Sequence, residues 1–109
     1  MRIGIVGGLT RSGKQYQRLA EESRHEVEFH CGEIGGHGAA DLVALVERID
    51  FLVVVTDVNS HGAVRLARYR AQLRRLPILL LRRCGPGRLR TLLQRLGEDG
   101  AHVGDLWPA

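Results

Sequence analysis

The side chains best suited to chemistry in this sequence fall in four short stretches, each directly after an apolar run. They are Gly7-Gly8-Leu9-Thr10-Arg11-Ser12-Gly13-Lys14, then His30-Cys31-Gly32 continuing to His37, then Thr56-Asp57-Val58-Asn59-Ser60-His61, and finally Arg82-Arg83-Cys84-Gly85. Imidazole and thiolate suit zinc, iron or haem iron, and a neighbouring carboxylate is the usual orienter of a ligating histidine. His30 and His61 are the expected ligands, with Asp57 and Ser60 beside them and Cys31, His37 and Cys84 as further donors. No Cys-x-x-Cys-His is present, which excludes covalently attached haem of the c type.

The first stretch has a second chemistry. Gly8, four residues, then Gly13-Lys14 matches the spacing of a phosphate-cradling loop, in which backbone N–H groups and a lysine hold phosphates. Gln15 stands where that motif needs a magnesium-binding Ser or Thr, so the expectation is anion contact and not nucleotide hydrolysis. The alternative is a glycine turn whose Thr10 or Ser12 caps a helix. Catalytic arrangements are weaker. Ser60 and His61 are adjacent, which does not make a nucleophile–base pair, and no Gly-x-Ser-x-Gly elbow occurs. Cys84 follows two arginines and precedes an expected helix start, a setting that lowers a thiol's pKa. Against that stands a small buried cysteine. A binding or sensing domain, not a turnover enzyme, is expected.

The elements that must position these groups are legible from periodicity. Arg2 to Val6 opens the chain as a short apolar run, Phe51 to Val55 and Pro77 to Leu81 are continuous apolar runs, as a strand covered on both faces requires, and the run at Val27 alternates and suits an edge. Between them the spacing becomes helical. Tyr16, Leu19, Ala20 and Ser23 share one stripe, and Leu42, Leu45, Val46 and Ile49 another. Leu66, Tyr69, Leu73 and Leu76 form a third, and Leu89, Leu92, Leu93 and Leu96 a fourth that Pro86 opens. The alternation predicts a small three-layer α/β domain with a doubly wound parallel sheet. It is flavodoxin-like or half-Rossmann, with strand order 2-1-3-4 and a fifth edge strand over 101–106. In such sheets ligands bind beyond the carboxyl ends of the strands, where all four reactive stretches are expected to gather.

The 109 residues make one domain. No apolar run approaches the length of a membrane span, and the opening Met1 to Gly8 lacks the parts of an export signal, so a cytoplasmic protein with reduced thiols is expected. The net charge of +4 is unevenly spread: residues 1–60 hold six basic and nine acidic side chains, residues 61–109 ten arginines and three acids. A basic second half suits a small anionic ligand, including the propionates of a porphyrin, with Arg11, Arg82 and Arg83 nearest the rim. It also fits a solvated arginine face. No aromatic platform accompanies the arginines, which places nucleic acid last among the expected partners. An uncovered sheet edge and the apolar Leu106-Trp107-Pro108 lead us to expect a homodimer.

Ile5-Val6-Gly7-Gly8, His30-Cys31-Gly32, Asp50 before the third run, Asp57, Ser60-His61, Ala63 and the Arg82-to-Gly85 loop together resemble the bacterial domain of unknown function 2325 over essentially the whole chain. The Ser-His pair is the most specific of these. The resemblance implies a Rossmann-like fold and draws attention to His30 and His61 without assigning an activity. The combined expectation is a domain that binds haem, or another iron or zinc cofactor, through His30 and His61. A phosphate- or nucleotide-binding regulator using Gly7 to Lys14 is the alternative.

Overall fold

The computed structural model describes residues 1–7, 13–57 and 59–96. Strand β1 (Arg2–Val6) leads to helix α1 (Gly13–Glu22), then β2 (Glu26–His30), α2 (Gly38–Arg48) and β3 (Phe51–Val55). Helix α3 (His61–Leu73), β4 (Ile78–Leu81) and α4 (Pro86–Leu96) follow. The four strands form one parallel sheet in the order β2-β1-β3-β4, the architecture that the alternating periodicity predicts. The expected fifth strand over 101–106 and the Leu106-Trp107-Pro108 tail lie outside the described residues.

Burial follows the strand period of two. Ile3, Ile5, Phe51, Val53, Val55, Leu79 and Leu81 face α1 and α4, where Tyr16, Leu19, Leu89, Leu92, Leu93 and Leu96 complete one core. Val6, Leu52 and Val54 face α2 and α3 in a second core on the other side of the sheet. β3 is buried along its whole length and β2 only partly, which is why the Phe51 run is continuous and the Val27 run alternates. Asp50 sets the start of the central pair: its carboxylate accepts from the Arg2 N–H at 2.9 Å, and its own N–H donates to the Arg2 carbonyl at 2.7 Å.

Helix α3 departs from expectation. Of the stripe Leu66, Tyr69, Leu73 and Leu76, only Leu66 and Leu76 pack, partly buried, against the core, and none forms its fully buried face. Ala63, Ala67 and Ala71 do, all fully buried, whereas Tyr69 and Leu73 are 57% and 61% exposed. Alanines let the α3 backbone lie close over β1 and β3; leucines there would hold it off. Arg74 secures the seam with α2 by donating to the carbonyls of Val46 and Ile49, and Arg70 pairs with Glu47 at 3.1 Å. A guanidinium at a helix carboxyl end is favourable for the helix dipole.

Candidate functional site

In this strand order the chain winds one way from β1 to β2 and the other way from β3 to β4, so the sheet's switch point lies between β1 and β3. There the connections leave on opposite faces and the backbone ladder must end. Asn59 fills the opening. Its side-chain amide donates to the carbonyl of Val55 at 2.8 Å and to that of Val6 at 3.4 Å, satisfying the last carbonyls of both strands. Its Oδ1 accepts from the Ser60 N–H at 2.9 Å. Ser60 continues the clasp: its hydroxyl donates to the Gly32 carbonyl at 2.7 Å and accepts from the Ala63 N–H at 3.0 Å, capping α3.

Gly7 and Gly32 complete the arrangement. Both have φ near +93°, and a Cβ would come within 2.5 Å of Asn59 at Gly7 and within 2.1 Å at Gly32. Two left-handed turns and one asparagine thus bring the ends of β1 and β3 and the loop after β2 into contact. Asn59 was present in the third reactive stretch but carried no obvious chemistry. The available signal was an Asx residue between a strand end and a Ser helix cap.

The expected ligand His30 is committed to its own loop. Its Nδ1 accepts from the Gly32 N–H at 3.0 Å, which leaves the proton on Nε2 to donate to the Gly38 carbonyl at 2.9 Å. Ligation would require breaking one of these bonds, so the arrangement shown is that of a loop-shaping histidine. His30, exposed Cys31 and exposed His37 do line one groove, of about 510 Å³, with Glu33, Asp41 and Arg48. Among the described residues, however, no three His, Cys, Asp or Glu side chains gather as a set able to hold a metal ion.

His61 is different. It is exposed at the first position of α3, and its imidazole makes no hydrogen bond to another described residue. Nearby in sequence, Asp57 is bound to Arg83 at 3.0 Å, an exposed pair that contributes little to stability. Arg82 is exposed, and its carbonyl accepts from the Asp57 N–H at 2.9 Å, extending the β3–β4 ladder beyond the strands. Lys14 is exposed in the first turn of α1. Gly8 and Arg11, with the rest of the expected phosphate loop over 8–12, lie outside the described residues.

Cys84 is the small buried cysteine and not the reactive thiol. It is 7% exposed in the core between the sheet and α4, and its carbonyl accepts from the Tyr16 hydroxyl. Burial pushes the thiol up from 9.0 to about 11, only partly opposed by Arg88, so it is protonated at neutral pH. Desolvation outweighs the helix start and the preceding arginines because the sulfur faces the apolar layer.

The fold defines a doubly wound α/β domain whose switch point is closed by this polar junction. The chain belongs to the family described as uncharacterized protein conserved in bacteria (DUF2325), whose model matches residues 2–96. No curated protein and no solved structure matches the chain.

Proposed function

We propose that this domain binds a small anionic ligand over the switch point at the carboxyl rim of the sheet, as a sensor or carrier and not as a turnover enzyme. The observation that carries this reading is the Asn59–Ser60 clasp, which uses two positive-φ glycines and five side-chain hydrogen bonds to shape the position where doubly wound sheets bind ligands. His61 at the start of α3 and exposed Arg82 and Arg83 after β4 stand at the same carboxyl end of the sheet, where they would supply donors and positive charge, Arg83 after release from Asp57. Two of the nucleophiles weighed from the sequence have other work, since the Ser60 hydroxyl caps α3 and the Cys84 thiol is buried; the exposed thiol is that of Cys31. Calorimetric titration with pyrophosphate, a mononucleotide and haem tests the proposal. Micromolar binding that weakens when Arg82 and Arg83 are both replaced by Ala supports it. Failure of all three probes to bind would reject it.

Haem is the member of this ligand class that a second observation favours. Both ring nitrogens of His61 are available, and haem needs only one or two axial ligands while its propionates would meet arginines. Under this reading, reconstituted protein shows a sharp Soret band that shifts on reduction and with carbon monoxide. His61→Ala removes the axial signature and His30→Ala retains it. A spectrum indifferent to His61→Ala would eliminate haem ligation there and leave the anion reading to be judged by calorimetry.

A further inference from the structure

Helix α3 buries its alanines and displays larger apolar side chains, which gives it a second surface that no other described residue covers. Arg65, Tyr69 and Leu73 stand at i, i+4 and i+8 in one exposed row. Arg68 is exposed beside that row, whereas Arg70 and Arg74 are turned to α2 by Glu47 and by helix-end carbonyls. The helix contains no Asp or Glu. Arg65 and Arg68 enter none of the ion pairs found among the described residues.

We infer that this outer face of α3 docks a partner protein through an acidic amphipathic helical segment, whose apolar side chains pack on Tyr69 and Leu73 while its carboxylates meet Arg65 and Arg68. Charge decides the occupant. A second copy related by two-fold symmetry would set this acid-free arginine face against itself. Size points the same way: two exposed apolar side chains fall far short of the roughly 800 Å² per partner of a standard stable interface. The contact is therefore electrostatically steered and salt-sensitive. Tyr69 and Leu73 themselves argue against a nucleic-acid backbone, which would leave them in contact with water and phosphate.

The test uses the full chain, labelled with ¹⁵N, and a synthetic helical peptide with Leu at i and i+4 flanked by Glu. Amide shifts centred on Arg65, Arg68, Tyr69 and Leu73 are expected. They should be lost with added salt, and lost in the double variant Arg65→Glu and Arg68→Glu, whose unchanged melting temperature shows that it is folded. A peptide with Ser in place of Leu should bind at least tenfold more weakly. Shifts confined to Arg82 and Arg83, or no shifts at all, overturn the proposal. So does self-association that Tyr69→Asp abolishes, or tighter binding of duplex DNA to the same residues.

Discussion

The loops after β2 and β3 both carry a histidine at the carboxyl rim, yet they use it in opposite ways. In the β2 loop the imidazole of His30 is held at both nitrogens by backbone groups, Gly32 on one side and Gly38 on the other. In the β3 loop the work of holding the backbone falls to Asn59 and Ser60, and His61 is left exposed at the start of α3. The same residue type is a structural bracket in one loop and an available side chain in the next. Which of the two it becomes depends on whether another polar side chain has already satisfied the local carbonyls and N–H groups.

Replacing Asn59 should break this contrast most severely. Asn59→Ala leaves the carbonyls of Val6 and Val55 and the Ser60 N–H without their partner at a part-buried junction, and a loss of about 3 kcal/mol is expected from chemical denaturation. Retention of stability within 1 kcal/mol would mean that water replaces the amide and that the clasp is not what joins the loops.

The two cysteines sharpen the same division between rim and core. The Cys84 thiol is raised from 9.0 to about 11 in the folded protein, so its contribution to stability is fully present below pH 9 and is lost as pH rises from about 9 to 11. Two pH units correspond to about 2–3 kcal/mol, and Tyr16, also raised by burial and by Cys84, acts in the same direction. Denaturation midpoints measured across that window should fall steeply in the native sequence and less in Cys84→Ala. Alkylation at neutral pH should reach exposed Cys31 first.

His30→Ala is next, at about 2 kcal/mol, because it removes two hydrogen bonds that shape the 30–38 loop. His61→Ala should change stability by less than about 0.5 kcal/mol, as for an ordinary surface substitution. Equal costs for the two histidines, read from the same denaturation curves, would erase the distinction between the loops.

The sheet order and both outer layers were legible because continuous runs such as Phe51 to Val55 differ so sharply from the helical stripes around them. The face of α3 was not. A hydropathy pattern ranks Leu66, Tyr69, Leu73 and Leu76 above Ala63, Ala67 and Ala71, but the alanines fill the face over β1 and β3, with Leu66 and Leu76 at its margin and Tyr69 and Leu73 outside it. The sequence places His30, Ser60 and His61 at the carboxyl ends of β2 and β3 through strand periodicity alone, as the structure does. It could not separate His30 from His61, since the partners of His30 are backbone atoms that no residue type announces. Asn59 was hidden for the same reason: its importance lies in two strand-end carbonyls that become neighbours only once β1 and β3 are paired.

The central claim is that ligand binds at the β1–β3 switch point and not in the groove beside β2. Amide chemical shifts of the full chain titrated with pyrophosphate test it most directly. The account predicts saturable changes at Gly7, Asn59, His61 and Gly62, with Arg82 and Arg83 following. Changes confined to Cys31, Glu33, His37 and Asp41, in the β2-side groove, would contradict it.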